Sequence, residues 1–321
     1  MAILVTGANG FVGSALCDLL ERQDMDYIRV VRKESIQCRQ QERVFDFSEP
    51  HDEKSWGDLV AGAETIIHLA AVAHQAIGND ESSRLKYAQV NVSASCNLLR
   101  QAINLGVKKF VFLSSVKAAS NSSLQDPSGS PIRMSTAQPE QPSDIYGSSK
   151  LAAEKELQLL ASNAAISLII LRPPLIYGSG QKGNMKKLFQ FIDRGVPLPF
   201  SGIKNQRSLI SVDNLCDALL HLVSANGKSG TYFLADIDVS TPELVRAIAA
   251  AFGKRPRMFY CSPKLLTLAA SILGKTDVAE RLLGSLTVDS RDFKEEFSWT
   301  PVHDFNQVLK RIARDAERSD I

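Results

Sequence analysis

A phenol and an ammonium stand four residues apart in Tyr146-Gly147-Ser148-Ser149-Lys150, at the start of a run of helix formers that reaches Leu160. Helical periodicity places positions i and i+4 on one face, with Leu151, Leu157 and Leu160 available for a buried stripe. A free tyrosine titrates at roughly pH 10 and is a poor general base at neutral pH, but a lysine cation held nearby favours the phenolate. Such a tyrosine can take a proton from an alcohol during oxidation, or give one to a carbonyl oxygen during reduction. The same spacing also describes a surface tyrosine one turn from a solvated lysine, so the elements around it must decide.

Those elements begin at the N-terminus. Ala2-Ile3-Leu4-Val5-Thr6 is an apolar run of strand formers, followed at once by Gly7-Ala8-Asn9-Gly10-Phe11-Val12-Gly13 and a helical stretch through Leu20. Strand, glycine turn and helix in this order form a cradle for a pyrophosphate, with Gly7, Gly10 and Gly13 allowing a tight turn and Phe11 and Val12 opening the helix. The spacing is G-x-x-G-x-x-G rather than the usual G-x-G-x-x-G. Tyr27 to Val31 reads as a second strand, after which an Asp or Glu would bind the ribose 2′-hydroxyl of NAD. The chain has Arg32-Lys33 there, which leans towards NADP. Val44-Phe45-Asp46 reads as a third strand, with Asp46 a candidate for the adenine edge. A fourth, Thr65 to Ala71, ends in Leu69-Ala70-Ala71, where a dinucleotide backbone could approach closely. His68 and His74 read as structural.

Leu85 to Leu105 has apolar residues at near-helical spacing and stops at Gly106, so one long helix is expected. Lys109 to Leu113 is a fifth strand that delivers Ser114-Ser115 at its carboxyl end, where ligands bind in an open parallel sheet. The Ser-, Pro- and Gln-rich stretch from Asn121 to Asp144 reads as a long loop that closes over the site. Ala165 to Leu171 is a sixth strand. The alternation predicts an α/β fold, a doubly wound parallel sheet with right-handed crossovers and helices on both faces.

Glycines and prolines crowd the chain between Gly178 and Pro199, which marks the start of a smaller second region. Arg207 to Asp213 reads as a short strand leading into a helix from Asp213 to Val223, with Asp213 near its N-cap. Arg207 at its mouth could grip a phosphate in forked geometry. Helices are also expected after Thr241-Pro242-Glu243, around Leu265 to Leu273, and from Phe305 to Arg318. Repeats and metal-ligand clusters are absent from the pattern.

Composition narrows the function classes. The 321 residues carry a formal charge of only +2, without a basic tail, which argues against a protein that binds nucleic acid through phosphate charge. Five scattered cysteines, none in Cys-x-x-Cys form, read as reduced thiols of a cytoplasmic protein. The start of the chain lacks the signature of a signal peptide, and no apolar run is long enough to insert across a bilayer.

Taken in order, Gly7-x-x-Gly10-x-x-Gly13, Ser115 and Tyr146-x-x-x-Lys150 resemble the extended short-chain dehydrogenase/reductase family, within it the nucleotide-sugar epimerases, dehydratases and reductases. The resemblance covers nearly the whole chain, including Arg172-Pro-x-x-x-Tyr-Gly178 and the stretch from Arg207 to Asp213. It implies a Rossmann-type NAD(P)-binding domain over residues 1–172, with 207–235 returning to it, and a nucleotide-sugar-binding lobe over most of 173–321. It implies homodimers. It further implies Tyr146 as acid/base, Lys150 lowering its pKa and binding the nicotinamide ribose, and Ser115 bonding the reacting oxygen. Arg207, Lys182, Asn184 and Arg281 would hold the diphosphate and uridine of a UDP-sugar.

One departure is informative. Dehydratases of the family carry Asp-Glu after the catalytic hydroxyl residue, where this chain has Val116-Lys117, so dehydration is not expected. Two reactions at carbon 4 remain: epimerisation with retained NAD, or reduction of a 4-keto sugar by external NAD(P)H, which the basic Arg32 favours. The stretches Ser-Ser-Val-Lys and Arg-Pro-Pro-Leu-Ile-Tyr-Gly resemble a UDP-glucose 4-epimerase-like subgroup. That subgroup includes bacterial enzymes that reduce UDP-4-keto-6-deoxy-N-acetylglucosamine to UDP-N-acetylquinovosamine for surface polysaccharide. A dinucleotide-binding protein without turnover would need no proton donor at all.

Overall fold

The first apolar run forms a strand whose alternate side chains enter two different cores, Ile3 and Val5 on one face and Leu4 on the other. Ile66 and Ile67, Phe110 and Val111, and Ile169 and Ile170 repeat the pattern, as expected of parallel strands covered on both faces. Each such side chain, withdrawn from water, contributes about 1.5–3 kcal/mol. The computed structural model describes residues 2–34, 41–73, 81–181, 183–272, 274 and 276–319, without the side chains of 276–278, 281, 318 and 319.

The strands, in chain order, are β1 (Ala2–Thr6), β2 (Tyr27–Val31), β3 (Gln41–Val44), β4 (Ala63–His68), β5 (Lys109–Leu113), β6 (Ser167–Arg172), β7 (Leu175–Tyr177), β8 (Arg207–Ser211), β9 (Gly230–Phe233) and β10 (Ile237–Val239). The helices are α1 (Phe11–Arg22), α2 (Glu53–Val60), α3 (Glu81–Tyr87), α4 (Ala94–Asn104), α5 (Ile145–Ala161), α6 (Gly183–Asp193), α7 (Val212–Ser224), α8 (Thr241–Ala251), α9 (Pro263–Ile272), α10 (Thr276–Leu283), α11 (Arg291–Glu296) and α12 (Phe305–Ser319). Seven strands pair in parallel in the order β3-β2-β1-β4-β5-β6-β9, the doubly wound Rossmann-type α/β sheet that the alternation predicts. The remaining three form a small sheet, β10-β8-β7, whose core includes Tyr177, Phe189, Leu209, Ile248 and Leu309. The segment expected to return to the large sheet divides: β8 stays in the small sheet, while α7 packs on α1 and β9 extends the large sheet beside β6.

Four local details refine the reading from sequence. The third strand ends at Val44, and Phe45 turns inward to pack on Phe47, His51 and Trp56, so Asp46 follows the strand. The long helix after Glu81 is interrupted by a π-helical turn, Ala88–Ser93, whose Asn91 side chain is drawn away to the loop after β4. Ser211 is the cap of α7, its hydroxyl accepting from the Asn214 N–H at 3.1 Å, and Asp213 stands near it in the first turn. The loop from Asn121 to Asp144 is tied by backbone bonds to the segment after α10: Met134 N–H donates to Thr287 O at 2.8 Å, and Asp289 N–H to Met134 O at 2.8 Å.

Candidate active site

Strand order reverses beside β1, whose neighbours are β2 and β4, and the crevice beyond the carboxyl ends of β1 and β4 is the place where such sheets hold ligands. The glycine turn closes one side of it. Gly7 has φ +68°, and a Cβ on Gly13 would lie 2.1 Å from the Gly7 carbonyl oxygen, so a side chain at position 13 would push α1 off the turn. Gly10 is the N-cap of α1, no side chain caps it, and the first turn, with Phe11, Val12 and Gly13, carries no acid. The free N–H groups and the positive end of the helix dipole fit an anionic pyrophosphate. Arg29 on β2 steadies the turn, its Nη2 donating to Asn9 Oδ1 at 2.7 Å.

On the other side, Leu69, Ala70 and Ala71 lie half-buried beyond β4. The Thr6 hydroxyl oxygen accepts from the N–H groups of Leu69 and Ala70, each at 3.1 Å. His68 completes the brace: Nδ1 lies 2.6 Å from Thr6 Oγ1, and Nε2 lies 2.8 Å from Ser95 Oγ, which itself donates to Asn91 O at 2.8 Å. With the Ser95 proton so placed, Nε2 must donate and Nδ1 must accept from Thr6. Burial first, then the nearby Lys150 charge, push the His68 pKa down to about 3, so the ring stays neutral. It is a structural histidine, as its sequence context suggests; His74 lies outside the described residues. Arg32 is exposed beyond β2, close enough for its charge to act on Asp46. Burial works to raise the Asp46 carboxyl, but hydrogen bonds from Ser48 and the Arg32 and His51 charges outweigh it and hold it below the usual range.

The candidate catalytic residues Ser115, Tyr146 and Lys150 gather at the carboxyl end of β5. Ser115 is extended, at φ −157° and ψ 151°, and caps a short 3-10 turn, Val116–Ala118. Its hydroxyl lies close enough to the phenol of Tyr146, the second residue of α5, to act on its pKa. Gly147 makes this approach possible, because a Cβ there would sit 2.3 Å from the Lys117 carbonyl oxygen. Asp144 caps α5, its Oδ1 accepting from Gly147 N–H at 2.7 Å, while its other oxygen is ion-paired with Lys117. Lys117, standing where the dehydratases carry an acid, thus ties the serine turn to the start of the tyrosine helix.

Lys150 lies one turn further along α5 and is buried; its Nζ donates to the Leu113 carbonyl at 2.8 Å and sits 4.4 Å from the centre of the Phe112 ring. Burial lowers its pKa to about 7, against the opposing charge of Glu154. Burial likewise raises the Tyr146 phenol, opposed by the Ser115 hydroxyl and assisted by the Asp144 and Tyr87 charges. Desolvation is the largest influence on the phenol, and the Lys150 ammonium donates to Leu113 and lies over the Phe112 ring.

A third member of this helix face went unread in the sequence. Glu154 is 1% exposed, four residues after Lys150, and accepts from Arg172 Nε at 3.1 Å and from the Ser114 hydroxyl. Arg172, at the end of β6, also donates to Glu140 at 2.9 Å. Ser114 and Ser115, adjacent at a strand end, point to opposite sides, one to this buried pair and one to Tyr146. The readable signal was a carboxylate four residues after Lys150 and a lone arginine closing a strand. Asn91 was missed too: its side chain holds Val72 N–H at 2.8 Å and donates to Ser149 Oγ at 2.9 Å, joining the cofactor loop to α5.

The substrate candidates are more scattered. Arg207 opens β8 with its Nη1 donating to Gly284 O at 3.0 Å, which sets it against the end of α10, the helix that carries Arg281. The Arg281 side chain and all of Lys182 lie outside the described residues, and Asn184 is exposed in the first turn of α6. Among the described residues no cluster of His, Cys, Asp or Glu suits a metal ion, and no helix is long and apolar enough to cross a membrane. Cys17, Cys96 and Cys216 are buried and Cys261 is half-buried, none of the four in a disulfide, and Cys38 lies outside the described residues.

Comparison with known proteins agrees with this arrangement. A UDP-glucose 4-epimerase of Vibrio cholerae is 32% identical over 316 residues, covering 98% of this chain and 94% of that protein. The N-acetyl-alpha-D-glucosaminyl-diphospho-ditrans,octacis-undecaprenol 4-epimerase of Escherichia coli O157:H7 is 27% identical, covering 94% of this chain and 88% of that one. The solved structure of MoeE5 in complex with UDP-glucuronic acid and NAD shares the fold, with a TM-score of 0.78 at 24% identity over 99% of this chain and 100% of that one. Residues 3–235, from β1 through the end of β9, match the profile described as the NAD dependent epimerase/dehydratase family, and the chain belongs to that family.

Proposed function

We propose that this protein reduces carbon 4 of a UDP-4-keto sugar with NAD(P)H. The observation that supports the reading is that Ser115, at the carboxyl end of β5, lies close enough to the Tyr146 phenol to act on its pKa. A nicotinamide held there supplies hydride. Tyr146 gives the proton to the oxygen, Ser115 polarises the carbonyl, and Lys150 restores the charge balance behind the phenol. A protonated phenol suits this direction, since reduction needs a donor and the Tyr146 pKa is pushed up. Arg207, Lys182, Asn184 and Arg281 orient the sugar by holding its diphosphate and base. Lys117 speaks against dehydration, being an ammonium bound to Asp144 where an acid/base residue would be needed.

The substrate in this reading is a UDP-4-keto-6-deoxy-N-acetylhexosamine, the product UDP-N-acetylquinovosamine, and the setting cytoplasmic synthesis of a surface polysaccharide such as O-antigen. Arg32 supports NADPH as the donor. In this reading the protein acts as a homodimer.

The second reading is 4-epimerisation with retained NAD. It is favoured by the names of the two relatives above, both 4-epimerases, and by the solved structures of this fold that hold NAD. One experiment separates the two: NADH and NADPH oxidation is followed with a UDP-4-keto-6-deoxy sugar, beside an epimerase assay without added cofactor. The reductase consumes reduced cofactor stoichiometrically with the keto sugar. Tightly copurified NAD with interconversion of UDP-sugar epimers, and no consumption of reduced cofactor, would replace it with the epimerase.

A further inference from the structure

Helix α9 inverts the usual arrangement of an amphipathic helix. Leu265, Leu268, Ala269 and Ile272 recur at i, i+3, i+4 and i+7, the spacing of a stripe that normally faces a core. Here the stripe faces water: Leu265 is 59%, Leu268 58% and Ile272 77% exposed, and none of the described side chains of the helix is buried. Phe259 and Tyr260, just before it, are 51% and 73% exposed. A cluster of this size on one short segment marks a surface with a partner.

Charge identifies the partner. From residue 244 to 276 the chain contains no Asp or Glu, but it contains Arg246, Lys254, Arg255, Arg257, Lys264 and Lys275. In a chain of net charge +2 that is a strong local excess. Lys254 is already paired with Asp193, so the positive face rests on Arg255, Arg257 and Lys264, all exposed. Exposed leucine and isoleucine along one face, aromatic residues at its edge and basic residues around it are the features of a helix that lies in the surface of an anionic bilayer. A second copy fits the same patch poorly. A two-fold contact pairs the patch with its own copy, which would bring two sets of Arg255, Arg257 and Lys264 into one interface.

We propose that the protein docks peripherally on anionic membrane through α9 and the basic, aromatic segment before it, resting on the lipid headgroups without spanning. The ten residues of α9 are far short of a membrane span.

The test is flotation of the full chain with vesicles of phosphatidylethanolamine and phosphatidylglycerol, against vesicles of phosphatidylcholine alone. The wild type floats with the anionic vesicles, and added salt weakens the association. The double variant Leu268→Ser/Ile272→Ser and the double variant Arg255→Glu/Arg257→Glu each lower the partition at least about tenfold. Because these side chains are exposed, both variants keep the wild-type melting curve and turnover on soluble substrate. The proposal is overturned if the wild type fails to float with anionic vesicles, if it floats equally with neutral ones, or if the variants float as the wild type does. A change in sedimentation velocity caused by Leu268→Ser/Ile272→Ser, with no vesicle binding by either protein, would assign the patch to a second copy instead.

Discussion

Lys150 and Arg207, the cations assigned to the two sheets, sit in opposite surroundings. Lys150 is buried over the Phe112 ring, fixed to the Leu113 carbonyl, with Glu154 one turn along the same helix. Arg207 is half-buried at the mouth of β8, and its partner on the neighbouring segment is the backbone carbonyl of Gly284. The contrast extends to their neighbours. Around the large sheet each chemical group is braced by a second buried group, as Thr6 is by His68, Val72 by Asn91 and Ser114 by Glu154. The small sheet and its helices offer Asn184 on an exposed first turn. The candidate catalytic groups are thus surrounded by buried side chains that bond one another, whereas Asn184 is exposed.

Tyr146→Phe is the sharpest way to test that division. It deletes one hydroxyl from the reacting pair and leaves the glycine turn untouched. Turnover should fall about 10²–10⁴-fold with cofactor affinity unchanged, as read by steady-state kinetics and fluorescence titration of NADPH. Near-normal turnover would remove Tyr146 from the chemistry. Gly147→Ala should be the next most damaging. Its new Cβ meets the Lys117 carbonyl at 2.3 Å, so the turn carrying Ser115 must move away from the phenol. A shift of an ångström at this point is expected to lower kcat about 100-fold, again with the dinucleotide still bound.

The same contrast explains what could be read from the sequence. Six of the seven parallel strands and the glycine turn were legible because each rests on a local signal, an apolar run or a glycine spacing, whereas β9, four residues long at the edge of the sheet, was not. Glu154 and Asn91 were not. Both act through partners far along the chain, Arg172 and Val72, and a buried carboxylate on a helix is indistinguishable from a solvated one until the strand that supplies its arginine is in place. The π-helical turn at Ala88–Ser93 is missed for a related reason, since the pull on Asn91 comes from the loop after β4. Exposure misled in the opposite sense at Leu265 to Ile272, where periodicity signals a core that is not there.

Glu154→Gln tests the buried brace itself. It removes the charge facing Arg172, which keeps only Glu140, and breaking such a pair costs about 3–5 kcal/mol of stability, measurable by urea unfolding. It also removes the charge that raises the Lys150 pKa, so the lysine midpoint, followed by NMR of labelled lysine, should fall below its wild-type value of about 7. The wild-type linkage has a defined sign. Below about pH 7 Lys150 is charged in both folded and unfolded chains, and the folded chain bears the full penalty of a buried ammonium. Between there and the unfolded pKa of roughly 10.4 only the unfolded chain holds the proton, so this group's contribution makes the fold more stable as pH rises. A Lys150 midpoint left at its unperturbed value would mean that the ammonium is solvated and the brace does not isolate it.

The smallest effects belong to the other side of the comparison. Arg207→Ala should raise KM for the nucleotide sugar about 10- to 100-fold, the worth of a charge-assisted hydrogen bond, while kcat stays within about threefold. Asn184→Ala, at an exposed position, should change KM by less than about threefold. Arg207→Lys separates forked recognition from charge alone: if it restores less than half of the lost affinity, the guanidinium plane is being read and not only its charge. Should Arg207→Ala lower kcat as much as Gly147→Ala does, the two sheets would not differ in kind. Arg207 would then belong to the reaction centre, and the flexible side of the site would have to be sought elsewhere on the small sheet.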